Sequence, residues 1–269
     1  MRRSSSSNGL TRRDLLGLAG MTVTAAGLTC IGGIVGYFLV DELGQRSRST
    51  ASDPTPPPAR SAWTKQIERP TIITRAEWSA REPNHAAENE SGFYTLDNPE
   101  GWRDYEGDLR AIYRTVVVHH SVIYKTDDPT TMQEIQTEHL DLRKWADVGY
   151  HFGVGVSGQV FEGRSLGARG THVEQFNSGS VGVVFFGNFE IQAPTQPQID
   201  QGRRLIDWLA LRLELTHLAG HGEFNDFTDC PGDNMLPYLD LFAISAGLVR
   251  GTGGYQPSPE QLITPTPEE

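Results

Sequence analysis

Two short hydrophobic segments stand out in the middle of the chain because polar residues bound each of them. Residues 114–121 read RTVVVHHS and residues 180–189 read SVGVVFFGNF, and both are rich in β-branched or aromatic side chains. Apolar runs of this length are typical of strands that are buried on both faces of a sheet. Residues 150–164 instead alternate apolar and polar positions on either side of Ser157 and Gly158, which predicts a β-hairpin that turns on the glycine.

Three further segments have apolar residues at the spacing of an amphipathic helix. Residues 195–215 predict the long helix of the domain, and residues 234–249 predict a last helix. Residues 129–145 predict another helix, with Thr130 or Thr131 as its N-cap. The apolar face of that helix is formed by Met132, Ile135, His139 and Leu142. Helices that alternate with strands predict an α/β fold, a single layered domain around a central sheet.

Residues 1–43 have the pattern of an export or anchoring segment. The 26 residues from 15 to 40 carry no charge, and they follow the pair Arg12 and Arg13. They exceed both the roughly 20 residues of a membrane-spanning helix and the roughly 7 to 15 apolar residues of a signal-peptide core. We therefore expect an uncleaved transmembrane anchor that leaves the later residues on the extracytoplasmic face. A cleaved signal would give a secreted protein instead. The arginine pair resembles a twin-arginine export signal, and a Sec-type anchor is the alternative.

Two proline-rich segments bound the part of the chain that is expected to fold. Residues 44–62 and residues 251–269 are polar, with too few large apolar side chains to build a core. The first predicts a linker and the second a disordered tail. Residues 63–250 between them are expected to form one domain, and we expect a monomer.

Net charge limits the possible partners. The chain carries a formal charge of −11, and because its first 50 residues carry +3, the remainder carries −14. A domain this acidic repels polyphosphate, which argues against nucleic acid as a partner. Contact with a membrane is expected through the N-terminal segment.

The cysteines and histidines suggest a metal site. The chain has two cysteines, and because Cys30 lies in the expected membrane segment, Cys230 has no partner for a disulfide. His119 ends a predicted buried strand, and His221 begins the loop that leads to Cys230. Two imidazoles and one thiolate would leave a fourth position open, as catalytic zinc requires, and a nitrogen and sulfur set favours zinc over magnesium or calcium. On spacing alone, a free buried thiol beside two unrelated histidines stays possible.

Five motifs in order along the chain resemble one family. They are RAEWSAREP, VVVHHS, MQEIQTEHLDLRKWADVGYHFGVGVSGQVFEGR, GTHVEQFNSGSVGVVFFGNF and GHGEFNDFTDCPG. Together they are similar to the zinc N-acetylmuramoyl-L-alanine amidases of the phage lysozyme type and to the peptidoglycan recognition proteins of animals. The resemblance covers nearly all of residues 71–249. It implies a central mixed β-sheet flanked by helices, with a groove for the peptide stem of bacterial peptidoglycan.

The resemblance also implies roles for individual residues. The expected zinc ligands are His119, His221 and Cys230. Tyr150 matches the catalytic tyrosine of the family, Thr228 matches a position that holds threonine or lysine, and both are expected in catalysis. The positions expected to bind substrate are His172 and Asn177. His120 is expected in packing or in support of the ligands, because successive strand residues face opposite ways.

The implied activity is hydrolysis of the amide between N-acetylmuramic acid and L-alanine. Zinc would lower the pKa of water to about 7 and polarise the carbonyl, and a phenol would stabilise the oxyanion. The proton donor to the leaving nitrogen is left open among Glu223, Glu162 and His120. The alternatives are a peptidoglycan-binding module without activity, distinguished by loss of the cysteine, and hydrolysis of another amide.

Three features depart from the family pattern. The loop from His221 to Cys230 is one residue longer than usual, which can tilt Cys230 and weaken metal binding, and Glu223 stands where aspartate is common. The paired cysteines of the animal relatives are missing. A polar insertion over residues 84–109 contains several aromatic residues. It is expected either to form a wall of the groove or to cover a sheet edge.

Overall fold

The central feature of the domain is a seven-stranded sheet in the order β1-β4-β3-β5-β2-β6-β7. The protein is described by a computed structural model over residues 67–125 and 127–256. The strands are β1 (Ile72–Ile73), β2 (Thr115–His120), β3 (Phe152–Val154), β4 (Val160–Glu162), β5 (Ser180–Phe185), β6 (His217–Gly220) and β7 (Val249–Arg250). Only the hairpin of β3 and β4 is antiparallel; every other neighbouring pair among these strands is parallel. The expected mixed sheet is therefore confirmed.

Four α-helices connect these strands. They are α1 (Leu109–Ile112), α2 (Asp128–Thr137), α3 (Gln196–Leu213) and α4 (Leu236–Ala246), and a π-helical turn (Glu138–Leu142) extends α2. Short 3-10 turns lie at Glu88–Glu90 and His221–Glu223. The long helix α3 begins with a capping box, in which Thr195 accepts from the Gln198 amide and the Gln198 side chain accepts from the Thr195 amide. It ends at Glu214, which adopts a left-handed conformation.

The sheet is covered on both faces, and this decides where a polar site can form. Val118 packs in one cluster with residues of α3 and α4, whereas Val184 packs in a second cluster with Met132 and Ile135 of α2. Because side chains alternate along a strand, His119 lies on the α2 face, opposite to Val118. Its neighbour across β5 is Val184.

The start of α2 and its last turn differ from the sequence expectation. The N-cap is Asp127, whose Oδ1 accepts from the Thr130 amide at 2.8 Å, and not Thr130 or Thr131. An ionised carboxylate is a strong acceptor at this position and also complements the helix dipole. Leu142 is 77% exposed, because the helix widens into the π-helical turn and rotates this side chain away from the core.

The insertion at residues 84–109 packs against the body of the domain. Its Trp102 forms a small buried cluster with Ala87, Ala146 and Ala168. Its Glu90 makes a two-pronged ion pair with Arg164, in which Nη2 to Oε2 measures 2.9 Å and both side chains are almost fully buried. The insertion is therefore held against the segments that lead to Tyr150 and His172.

The expected segments at the two ends fall largely outside the described residues. The predicted anchor at 1–43 and linker at 44–62 lie there, and no helix within residues 67–125 and 127–256 is long and apolar enough to cross a membrane. Residues 251–256 of the expected tail are described and pack on the domain. The Gly251 amide donates to the Leu218 carbonyl at 2.9 Å, and Tyr255 contacts two aromatic rings. Residues 251–256 thus contact the domain, although their composition is that of a tail.

Candidate metal centre and active site

Three side chains from separate parts of the chain converge at the carboxyl end of β2. His119, His221 and Cys230 each offer one ligand atom, and these atoms lie within 4.8 Å of one another. The Sγ of Cys230 is 3.6 Å from Nδ1 of His119, and the centres of the two imidazole rings are 4.7 Å apart. No second group of three such side chains is found within the described ranges.

Strand register explains why the two histidines meet. In the parallel pair of β2 and β6, Val118 is matched to Gly220. His119 is the next residue of β2 and His221 directly follows β6, so the two histidines lie side by side at the end of this strand pair. Residues 217–220 were not predicted as a strand, and without β6 the proximity of the two histidines could not be derived from the sequence.

Backbone hydrogen bonds fix Cys230 beside them. The His120 amide donates to Sγ of Cys230 at 3.4 Å, and the Gly222 amide donates to the Cys230 carbonyl at 2.7 Å. The Cys230 amide in turn donates to Oγ1 of Thr228 at 3.2 Å. The longer loop between His221 and Cys230 therefore does not carry the thiol away from the histidines.

His172 lies behind His119 and determines which nitrogen of His119 is free. Nδ1 of His172 is 3.0 Å from Nε2 of His119, and Nε2 of His172 is 3.4 Å from the Ser180 carbonyl. Because a carbonyl only accepts, His172 donates from Nε2 to Ser180 and accepts at Nδ1 from Nε2–H of His119. This arrangement leaves Nδ1 of His119 without a proton and aimed at Cys230, as a metal ligand requires.

Two glycines make room for the His172 ring. A Cβ at Gly170 would lie 2.5 Å from His172, and a Cβ at Gly182 would lie 2.7 Å from it. Gly182 is in the middle of β5, where a side chain would otherwise point at this face of the sheet. The absence of a side chain there lets the imidazole pack directly on the strand.

The electrostatics of the three side chains favour neutral donors in the absence of metal. Burial, and then the neighbouring His221 and His172, hold the pKa of His119 well below its usual range. Burial lowers the pKa of His221 to about 4. Burial raises the pKa of the Cys230 thiol to about 12, against the opposing effect of the His120 amide. Both imidazoles therefore offer lone pairs at neutral pH, whereas the thiol must lose its proton when it binds a metal.

The chemistry of the donor set, and the separation of one donor pair, fit zinc. Zinc–nitrogen and zinc–sulfur bonds of about 2.05 and 2.3 Å in a tetrahedron place nitrogen and sulfur about 3.6 Å apart. The observed separation between Nδ1 of His119 and Sγ of Cys230 is 3.6 Å. A zinc ion held by two nitrogens and one sulfur would keep a further position for water or substrate, as catalytic zinc sites do.

Tyr150 stands at the edge of this centre as a neutral phenol. Its ring centre is 5.0 Å from that of His119 and 5.3 Å from that of the buried His139. Burial, and then the proximity of Cys230, raise the pKa of Tyr150 above its ordinary value. The hydroxyl therefore keeps its proton at neutral pH and can donate a hydrogen bond to a developing negative charge.

The remaining predicted residues have supporting contacts. Oδ1 of Asn177 accepts from the amides of His172 and Val173 at 2.6 and 2.8 Å, so Asn177 shapes the backbone that carries His172. Oγ1 of Thr228 accepts from Cys230 and keeps its own proton for a further bond. Nδ1 of His120 accepts from the Phe189 amide at 3.3 Å.

Two of the three open candidates for the proton donor are engaged elsewhere. Oε2 of Glu223 accepts from the Gly220 amide at 2.6 Å and pairs with Arg250 at 2.9 Å. Glu162 lies on β4, where it accepts from the Arg75 amide at 3.3 Å. Both carboxylates thus have structural partners, and Glu223 caps the turn that presents His221.

The chain is similar in sequence and in structure to several known proteins. The sequence model of the family described as N-acetylmuramoyl-L-alanine amidase matches residues 109–233. Peptidoglycan-recognition protein SD of Drosophila melanogaster is 32% identical over 174 residues, which cover 62% of this chain and 83% of that protein. The crystal structure of the Drosophila protein PGRP-SD superposes with a TM-score of 0.51 at 28% identity, over 70% of this chain and 100% of that chain. A mutant of Drosophila PGRP-LB in complex with tracheal cytotoxin gives a TM-score of 0.52 at 25% identity, over 68% and 99% of the two chains.

Proposed function

Because the chain belongs to the family of N-acetylmuramoyl-L-alanine amidases and peptidoglycan-recognition proteins, we propose that it is a zinc-dependent amidase. Its substrate is the amide bond between N-acetylmuramic acid and L-alanine in bacterial peptidoglycan. The observation that carries the proposal is the complete ligand set, His119, His221 and Cys230, with its ligand atoms within 4.8 Å of one another. A protein that only binds peptidoglycan has no need for this set.

The chemistry of the amide explains what the site has to provide. An amide carbonyl is a poor electrophile and neutral water a poor nucleophile, and zinc held by the three ligands would lower the pKa of water and polarise the carbonyl. The protein contributes the placement of that metal. His172 holds His119 in the tautomer with a free Nδ1, and the His120 amide stabilises a thiolate on Cys230.

Tyr150 supplies the hydrogen bond that strengthens as the reaction proceeds. When the carbonyl carbon becomes tetrahedral, its oxygen gains negative charge, and a fixed phenol donor stabilises that charge. Burial keeps the phenol protonated, since it raises the pKa of Tyr150. Thr228, which is tied to Cys230 through its Oγ1, retains an O–H that can orient water or donate to the same oxygen. Asn177 accepts from the His172 amide and so fixes the backbone that carries His172.

The expected location of the protein agrees with this substrate. Peptidoglycan lies outside the cytoplasmic membrane, and the charge-free residues 15–40 behind Arg12 and Arg13 would export or anchor the domain there. The acidic character of the chain after residue 50 suits a domain that works away from nucleic acid. We propose a monomer, held at the membrane if the N-terminal segment is retained.

The competing function is binding without cleavage. The related PGRP-LB mutant is in complex with tracheal cytotoxin. In that case this chain would bind a muropeptide by its stem peptide and leave it intact. The two functions differ in whether Cys230 and Tyr150 are needed, because binding alone requires neither a metal nor an oxyanion donor.

The test combines metal content with product analysis. The full chain is expected to contain about one zinc per molecule and to release from purified muropeptides free stem peptides that begin at L-alanine, as detected by mass spectrometry. Cys230→Ala is expected to lose both the metal and the product. Asp226→Ala, an exposed change in the same loop, is the matched control and is expected to retain both. Wild-type protein that contains no zinc and binds muropeptides intact would establish the binding function instead.

A further inference from the structure

Three aromatic rings from distant parts of the chain form a closed cluster beside the metal centre. The ring centres of Phe176 and Phe224 are 5.0 Å apart, those of Phe176 and Tyr255 are 5.2 Å apart, and those of Phe224 and Tyr255 are 5.7 Å apart. Each ring thus contacts both others at the separations that aromatic pairs prefer. The three rings lie in three separate loop segments, and none of them lies on a strand of the sheet.

Two of the rings belong to the loops that carry the site. Phe176 precedes Asn177, whose Oδ1 holds the amide of His172 at 2.6 Å. Phe224 directly follows the 3-10 turn of His221, and its amide donates to the His221 carbonyl at 3.0 Å. Contact between these two rings therefore couples the loop behind His119 to the turn that presents His221.

The third ring comes from the segment that follows the last strand. The Gly251 amide donates to the Leu218 carbonyl at 2.9 Å, and Gly254 lies so close to the imidazole of His217 that a Cβ would meet Nδ1 at 1.7 Å. A Cβ at Gly179 would lie 2.9 Å from the Gln256 carbonyl. Contacts on both sides of Tyr255 thus hold this segment in place, and the Tyr255 ring packs from a fixed position against Phe176 and Phe224.

We infer that Tyr255 is a positioning residue of the metal centre, acting through Phe176 and Phe224 on the loops of His172 and His221. This role rests on the proposed metal site, which Tyr255 does not itself touch. The ring is the part that matters, because the hydroxyl of Tyr255 is buried with no hydrogen-bond partner among the described residues. The chain segment after β7, which has the composition of a tail, is in this respect part of the active domain.

The structure provides a matched pair of variants in the full chain. Tyr255→Ala removes the ring, whereas Tyr255→Phe removes only the unpaired hydroxyl. Zinc affinity is measured by competition with a chromophoric chelator, and we expect about tenfold weaker binding for Tyr255→Ala, at the lower end of the effect of residues that orient ligands. Tyr255→Phe is expected to bind zinc as the wild type does. The visible absorption of the cobalt-substituted protein is expected to change for Tyr255→Ala alone.

A measurement on metal-free protein separates this inference from the proposed function. Amide hydrogen exchange over residues 172–177 and 221–230 is expected to be faster in Tyr255→Ala and unchanged in Tyr255→Phe. If the wild type binds no zinc, the proposed function fails while the exchange data still test the coupling. A lower melting temperature for Tyr255→Ala with unchanged exchange in both loops, or equal effects of the two substitutions, would overturn the inference.

Discussion

Nδ1 of His172 lies 3.0 Å from Nε2 of His119, on the opposite side of the His119 ring from Cys230. A residue expected from the sequence to bind substrate therefore contacts one of the proposed metal ligands. His172 can be reached by substrate only at its edge, since it is 7% exposed. This contact is expected to affect how tightly a metal is bound.

Replacing His172 is expected to weaken zinc binding more than it changes the fold. His172→Ala leaves Nε2–H of His119 without its acceptor, and loss of such a partner typically costs about 10-fold to 100-fold in metal affinity. His172→Gln retains an acceptor and is expected to recover part of the loss. Zinc affinity by chelator competition is the measurement, and equal affinities of the wild type and His172→Ala would contradict this role.

A methyl group at Gly182 is expected to act on the same residue from the other side. The added Cβ would lie 2.7 Å from the His172 ring, so Gly182→Ala must displace the imidazole from Nε2 of His119. We expect weaker zinc binding, again by chelator competition. Gly253→Ala is the matched control, because a Cβ there meets nothing within 4 Å. Similar affinities of the two variants would show that the site has room for the methyl group.

Tyr150→Phe is expected to separate metal binding from catalysis. In the proposed mechanism the phenol donates to the oxyanion and is not among the ligands, so zinc content should stay at the wild-type level. Loss of an oxyanion donor typically lowers kcat by about 10²-fold to 10³-fold. The measurement is the initial rate of stem-peptide release together with elemental analysis. A variant that keeps both its zinc and its full rate would remove Tyr150 from the mechanism.

The stability of the metal-free domain is expected to fall below neutral pH. Burial lowers the pKa of His151 to about 4 and that of His139 to about 3. The unfolded chain binds these protons near pH 6.5, so stability is complete above that pH and declines as the pH falls toward the folded-state values. For His151 the loss between pH 7.5 and 4.5 is about 2–3 kcal/mol.

Urea unfolding in the presence of a chelator measures this loss. In His151→Gln the ionisable ring is absent, so the stability difference between wild type and variant should shrink by about 2–3 kcal/mol from pH 7.5 to pH 4.5. A difference that is constant over this range would mean that His151 takes up its proton at the same pH in the folded protein as in the unfolded chain.

The buried ion pair of the insertion is expected to be essential to stability. Glu90→Gln leaves the guanidinium of Arg164, which has no exposed side-chain surface, without its counter-charge. Breaking such a pair typically costs about 3–5 kcal/mol. Glu138→Gln breaks the pair with Arg143, which is half-exposed, and should cost less than about 1 kcal/mol. Comparable unfolding midpoints of the two variants would show that the insertion is not anchored by this pair.

Local patterns in the sequence predict much of this domain. The strands β2 and β5, the hairpin at Gly158 and the helix α3 follow from their periodicity, because each buries a regular set of side chains. The short strand β6 does not, since four residues carry no period that distinguishes a strand from a turn. The π-helical widening after Thr137 likewise has no sequence signal.

The proposed metal ligands could be predicted from the sequence, whereas the residues that hold them in place could not. His119, His221 and Cys230 have chemistry that points to a metal, and their order resembles a known family. The contact of His172 with His119, and the room that Gly182 gives it, depend on how strands and loops pack in three dimensions. The contacts of Tyr255 with two aromatic rings could not be predicted, because its surroundings have the composition of a disordered tail.

The pairing of Val118 with Gly220 bears on how the centre tolerates change during evolution. Since this register brings His119 and His221 together, the loops within the 101 residues between them can gain or lose length without separating the imidazoles. A single residue inserted within β2 or β6 would instead turn one histidine to the opposite face of the sheet. The loop before Cys230 can also change in length, because the amide of His120, which is not part of that loop, donates to the Cys230 thiol and fixes it. Changes in length are thus confined to the loops, while two short strands preserve the centre.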